Sequence, residues 1–333
     1  MITAISGDIP NYVQSLFELC EKEKASDLHL EPTEKNYRIR LRVDGNLKIF
    51  SEFPASFAEG MLHHFKVLSH TNVAENRRPQ DGRIVGKNIR VSFCPTFLGE
   101  KCVLRFLQTG IKKLDIYQLG FLPEQQEAVL QALHRPQGLI LVTGPTGSGK
   151  SLTLYSILSY LNSPQKNIMT IEDPIEMPIS GLTQIQVNPD IGLDFSDILR
   201  SVLRQDPNIL MIGEIRDEKT AKMAIKASQT GHLVFATLHA NSALESLPRL
   251  ENLGIDRFNL TCSISLLLAQ RLVRKIGGGR TALFEVIPMD STLKERYLSH
   301  SPLPPPSISL KDHGLKLVQA GVLTFDEVQH VCG

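Results

Sequence analysis

Charge of one sign is what this chain has little of: 36 lysines and arginines face 35 aspartates and glutamates, a formal net charge of +1. That balance gives no general reason to make nucleic acid the main partner, although local patches remain allowed. Cysteine is scarce as well, with five residues at 20, 94, 102, 262 and 332. They are odd in number and contain no C-x-x-C pair, so a set of reduced thiols is expected rather than a disulfide framework or a zinc site. No apolar run approaches the roughly 18 residues of a membrane-spanning helix, so any membrane contact is expected through a partner or a surface. The first ten residues have neither the basic nor the apolar region of a secretory leader, and a cytoplasmic chain is expected. There is no internal repeat.

What is present is enough for more than one core. At 333 residues with 42% apolar content, the chain can bury an α/β domain and a second, smaller one. The first 110 residues read as an α+β unit. A helical pattern runs from Tyr12 to Lys24, and Tyr37-Arg-Ile-Arg-Leu-Arg-Val43 alternates as a strand does before Asp44-Gly45 turns the chain. Residues 111–120 read as a linker. From 121 to 333 longer helices alternate with apolar strands, the pattern of a mostly parallel sheet covered on both faces. Leu266–Val273 is expected to continue as helix until Gly277-Gly278-Gly279 ends it. Ser301–Pro306 reads as a loop, and Leu315–Val331 returns to helical spacing.

The chemistry is concentrated in Gly144-Pro145-Thr146-Gly147-Ser148-Gly149-Lys150-Ser151, which fits G-x-x-x-x-G-K-[ST]. Glycines let the backbone turn its N–H groups inward onto phosphate, Lys150 can reach the β- and γ-phosphates, and the Ser151 hydroxyl can ligate Mg²⁺. The context matches: the apolar strand Gly138–Thr143 precedes the loop and a helix, Leu152–Leu161, follows it. Three further strands end in useful side chains. Ile168–Ile171 leads to Glu172 and Asp173, Ile209–Ile212 to Glu214, and Leu233–Leu238 to His239. Ligands of open α/β sheets sit beyond the carboxyl ends of the strands, so these residues should converge.

Each has a plainer reading beside the chemical one. Glu172 and Asp173 either organise a solvated turn or, next to a phosphate loop, polarise an attacking water. Glu214 is expected to coordinate Mg²⁺ or water near Ser151. Arg216 and Asp217 either pair or begin the next helix. His232 and His239 are an odd number of residues apart and point to opposite faces of a strand, so they cannot share a metal. His239 lies at the end where a γ-phosphate could be sensed. From spacing alone, Arg90 and Arg105 are ordinary surface arginines in a hairpin.

Together these motifs resemble the secretion and type IV pilus ATPase family. Ser26-Asp-Leu-His-Leu-Glu-Pro32, Arg40-Leu-Arg-Val-Asp-Gly45 and Arg77-Arg-Pro-Gln-Asp-Gly-Arg83 are similar to its N-terminal domain. Gly144–Ser151 is similar to its phosphate loop, Ile171–Glu176 to its aspartate box, Leu203–Asp217 to its Walker B region and Thr230–Asn241 to its histidine box. The resemblance implies a RecA-like P-loop ATPase domain with a smaller N-terminal PAS-like α+β domain. It implies ATP and Mg²⁺ as ligands, Ser151 and Glu214 holding the metal directly or through water, Glu172 as general base, and Arg90 and Arg105 as arginine fingers. It also implies a hexameric ring at the inner face of the inner membrane, working on a membrane platform protein to assemble pili, pseudopili or a DNA-uptake fibre.

Two departures stand out. Only Ile276-Gly-Gly278 occupies the place of the family's four-cysteine zinc lobe, so no zinc site is expected, and that junction resembles the retraction branch. The docking domain that many assembly members carry ahead of this region is not seen, which leaves the recruiting partner open. Against retraction, the stretch Met289–Arg296 after Pro288 does not match the retraction signature, and that from Gly314 to Val328 resembles assembly and secretion members. A retraction motor, a non-hydrolysing regulatory ring and a nucleic-acid translocase are the alternatives.

Overall fold

Alternating and continuous apolar runs separate the chain into two kinds of sheet. The structure, a computed structural model, describes residues 8–84, 86–87, 89–106, 115–188 and 191–333. It divides into two units, Met1–Ile111 and Lys112–Gly333. The boundary expected near residue 110 and the start of the expected linker lie outside the described residues.

The N-terminal unit runs α1 (Ile9–Lys22), β1 (Asp27–Pro32), β2 (Asn36–Val43), β3 (Asn46–Pro54), α2 (Ala55–Leu68), β4 (Gln80–Ile84), β5 (Ile89–Thr96) and β6 (Gly99–Phe106). Its six strands form one antiparallel sheet in the order β3-β2-β1-β6-β5-β4. Asp44 and Gly45, at φ 49° and 85°, supply the left-handed pair that a two-residue hairpin favours. Both helices cover one face, packing Val13, Leu16, Met61 and Phe65 onto Leu28, Leu30, Ile39, Leu41, Val91 and Leu104.

Alternation puts charge on the other face. There Glu31 accepts hydrogen bonds from Arg40 at 2.7 and 2.8 Å and from Arg38 at 3.2 Å, and pairs with Lys101 at 2.8 Å. Burial alone would raise the Glu31 carboxyl, but Arg40 and Lys101 hold it down at about 2.

The second unit continues with a 3₁₀ turn (Ile116–Gln118), α3 (Pro123–Leu133), β7 (Gly138–Thr143), α4 (Lys150–Leu161), β8 (Ile168–Glu172), β9 (Thr183–Gln186), α5 (Phe195–Val202), β10 (Ile209–Ile212), α6 (Glu218–Gln229) and β11 (Leu233–Leu238). It closes with α7 (Ser246–Asn252), α8 (Arg257–Ser263), β12 (Ile264–Arg274), β13 (Arg280–Pro288), α9 (Ser291–Leu298), α10 (Leu310–Gln319) and α11 (Phe325–Cys332). The seven strands are ordered β13-β12-β7-β11-β10-β8-β9, and only the β12–β13 pairing is antiparallel. Successive residues of β7 serve opposite cores. Leu139 and Leu141 pack with α5, α6, α7 and α8, whereas Ile140 and Val142 pack with α3 and α4. A strand buried on both faces needs such a continuous apolar run.

That same property explains one wrong expectation. Leu266–Val273 is part of β12, not a helix. Its leucines favour helix in isolation, but the segment pairs with β7 on one side and β13 on the other, and periodicity cannot separate a doubly buried strand from a buried helix. The three glycines lie in the β12–β13 turn, with Gly278 and Gly279 at φ 86° and 72°. The helical stretch expected over Leu315–Val331 is two helices, α10 and α11, parted at Gly321, φ 70°.

Candidate functional site

The phosphate-binding motif forms a tight loop between β7 and α4. Gly144, Gly147 and Gly149 all have positive φ, at 147°, 79° and 89°. A Cβ at Gly144 would stand 2.5 Å from the Gln270 carbonyl and 2.7 Å from Ser148 Oγ, whereas one at Gly147 would meet nothing within 4 Å. The loop is therefore pressed onto β12 behind and open in front. Gly149 caps α4, whose first N–H groups face the loop with no intrahelical partner. Ser148 is 3% exposed and its hydroxyl has no partner among the described residues. An unpaired buried hydroxyl beside the first N–H groups of a helix fits a phosphate chain.

Lys150 Nζ donates to the carbonyls of Gly144 and Pro145 at 2.7 and 2.9 Å. Burial holds this ammonium below the ordinary lysine value, opposed by the charges of Glu214 and Glu176 and reinforced by Arg271.

The ends of β10 and β11 do converge. Glu214 accepts from Arg216 Nε at 2.6 Å and lies 3.1 Å from His239 Nε2. Arg216 reaches on to Asp173 at 3.4 Å. Gly213 sits in a crowded place: a Cβ there would stand 3.0 Å from the Ile171 carbonyl of β8. A cleft of about 400 Å³ runs beside the loop, lined by Gly144, Pro145, His239, Asn241, Glu245 and Arg249 among others. Ser151 follows Lys150 in the first turn of α4. Among the described residues no group of three or more His, Cys, Asp or Glu could hold a metal. Ser151 and Glu214 suit an ion that takes most of its ligands from phosphate and water, as Mg²⁺ does.

Glu172 ends β8. It is 4% exposed. Its oxygens accept from the Tyr155 hydroxyl, from Thr170 Oγ1 at 2.5 Å and from Gln184 Nε2 at 3.1 Å. Tyr155 in turn accepts from the Glu176 N–H at 3.2 Å, and burial, with the Glu172 charge, raises the tyrosine's pKa. Glu176, four residues further on, is exposed.

His232 packs at the other end of β11, its Nδ1 3.0 Å from the Ala227 carbonyl. Asp217 caps α6 by accepting from the Thr220 N–H at 2.9 Å. Arg90 and Arg105 belong to the N-terminal unit, directly opposite each other on β5 and β6. Arg105 is tied to Asp27 at 2.8 Å with its side chain 63% exposed.

Sequence reasoning missed Gln270 and Arg271. The buried Gln270 amide donates to the Ser148 carbonyl at 2.8 Å and accepts from Thr153 Oγ1 at 2.8 Å, bracing both loop and helix. Arg271 donates to the Asn241 carbonyl at 2.8 Å. Both sit on the segment read as helix, and only the strand assignment brings them beside β7.

Comparison with known proteins gives one consistent answer. The family described as "Type II/IV secretion system protein" matches residues 5–301. The chain is 48% identical over 275 residues to the type IV pilus assembly ATPase PilB of Acinetobacter baylyi, covering 80% of this chain and 48% of that protein. It is 39% identical over 363 residues to the protein transport protein HofB homolog of Escherichia coli, covering 94% and 79%. The chain thus spans about half the length of the pilus assembly relatives that it matches. Among solved structures it resembles the pilus retraction motor PilT with bound ADP, at 27% identity and TM-score 0.72 over 96% of each chain. It shares its fold with the ATPase DotB of Legionella pneumophila, at 20% identity and TM-score 0.79 over 99% of this chain and 98% of that one. The fold is that of the RecA-like P-loop ATPases.

Proposed function

The chain belongs to the type II/IV secretion system protein family, and from that premise we propose that it is a Mg-ATP-hydrolysing hexameric motor for assembly of type IV pili, secretion pseudopili or a DNA-uptake fibre. The observation that carries the reading is the meeting of Glu214 and His239, at 3.1 Å, just past the ends of β10 and β11, the second of which pairs with the strand of the phosphate loop. Greater identity to relatives named for pilus assembly than to the retraction motor favours assembly over retraction. The partner is a membrane platform protein, with the chain held at the inner face of the inner membrane.

Gly144–Ser151 binds the phosphates, and Lys150 exchanges its carbonyl partners for phosphate oxygens. Ser151 and Glu214 would hold Mg²⁺, which would neutralise charge on the phosphates. Arg216 and His239 fix the Glu214 carboxylate so that it does not reorganise during the reaction. Glu172 is a brace: its oxygens are committed to Tyr155, Thr170 and Gln184. Arg90 and Arg105 supply positive charge from the N-terminal unit of a ring.

The test is the steady-state Mg-ATPase rate per subunit against protein concentration, with Lys150→Ala as control. A rate that climbs as rings form is expected. A wild-type rate equal to that of the control would overturn hydrolysis by this chain.

A further inference from the structure

The cleft of about 400 Å³ beside the phosphate loop has room for roughly a dozen waters at about 30 Å³ each. Gly144 and Pro145 line it from the loop, His239 and Asn241 from the segment after β11, and Arg249 and Asn252 from α7. Lys150 and Ser151, the residues that face phosphate and metal in a P-loop site, do not line it. The cleft thus adjoins the nucleotide cradle on the His239 side and is not the cradle itself.

Three charged side chains set its chemistry. Glu245, the one acidic residue of the lining, stands four positions before Arg249, a spacing at which the two ordinarily pair. Here the carboxylate is diverted: its Oε2 accepts from the Asn241 N–H at 3.1 Å. His239 is engaged by Glu214. Arg249 is exposed, and its guanidinium has no ion pair or hydrogen bond among the described residues. Neighbouring arginines are spent, Arg216 on Glu214 and Asp173, Arg257 on Glu251 and Arg274 on Glu327. The carboxamides of Asn241 and Asn252 are likewise without partners among the described residues. A guanidinium is a rigid fork of donors that matches oxyanions, and carboxamides add further N–H groups. This donor set fits an incoming anion, and the anion with a source at this place is phosphate.

We propose that the cleft is a second phosphate site, in which Arg249 receives orthophosphate that has left the loop past His239. The release step rests on the hydrolysis reading above; binding of the ion does not.

Two arms test it on the full chain. In the first, inorganic phosphate is titrated against Lys150→Ala, whose loop site is weakened, and binding is followed by the phosphorus NMR line width. Adding Arg249→Ala should weaken phosphate about tenfold, with Arg249→Lys, which keeps the charge without the fork, falling between. The affinity of Arg249→Ala alone for Mg-ADP should stay within about twofold of the wild type, because the cleft is not the cradle. In the second arm, inorganic phosphate is added during turnover of saturating Mg-ATP, and half-inhibition of Arg249→Ala should need about tenfold more of it than the wild type. Phosphate binding absent or unmoved by Arg249→Ala, or an equal loss of Mg-ADP affinity, would overturn the second site. Inhibition unmoved while the titration moves would overturn the release role. A wild-type chain without turnover would overturn the hydrolysis reading, and the titration would still decide the site.

Discussion

Replacing Glu172 by glutamine separates a bracing carboxylate from a catalytic one. In the wild type the carboxylate accepts from Tyr155, Thr170 and Gln184 while 4% exposed. A hydrogen bond to a buried charged group contributes about 1.5–3 kcal/mol, and a buried donor left unpaired costs about 1–3 kcal/mol. Glutamine presents one acceptor oxygen and an N–H₂ group where three donors converge, so at least one donor loses its partner. The expected loss is about 3 kcal/mol, which lowers Tm by roughly 6–12 °C in a unit of this size. Turnover measured well below the new Tm should fall by less than about tenfold, because the group moves no proton. The assay pairs a calorimetric melt with the ATPase rate of the same preparation. Removing a general base costs about 10²–10⁴ in rate; an unchanged Tm with a loss of that size would refute the reasoning and return the base to Glu172.

Glu214→Gln should retain nucleotide, measured by fluorescent-analogue binding, and lose turnover; loss of binding itself would place the residue in the nucleotide cradle. Gln270→Leu removes both bonds that brace the phosphate loop and should weaken nucleotide affinity about tenfold, as titration calorimetry would report. The N-terminal unit should lose stability as pH falls from 4.5 toward 2. Glu31 is held at about 2 against an ordinary value of 4.5, so its contribution is complete above 4.5 and disappears as the folded carboxylate is protonated. Acid melts of Glu31→Gln should lack that part of the pH dependence, and an identical dependence would assign it to other groups.

The phosphate loop was legible in the sequence because its pattern is local. Three glycines and a Lys-Ser pair at fixed spacing specify a backbone shape that no distant residue needs to supply. The strands leading to Glu172, Glu214 and His239 were legible for a similar reason, since short apolar runs ending in polar residues mark buried parallel strands. What each acid does at its strand end was not local. Glu172 is occupied by Tyr155 from α4 and Gln184 from β9, and Glu214 is gripped by His239 from the next strand. Only the strand order β7-β11-β10-β8 makes those neighbours. The tertiary structure also turned Leu266–Val273 from helix to strand, because pairing with β7 and β13 outweighs the helix preference of leucine. With that change came Gln270 beneath the loop and Arg271 beside it, residues whose place depends on partners 122 and 30 positions away. Sequence determines which backbone shapes and charges are on offer; long-range pairing decides which of them meet.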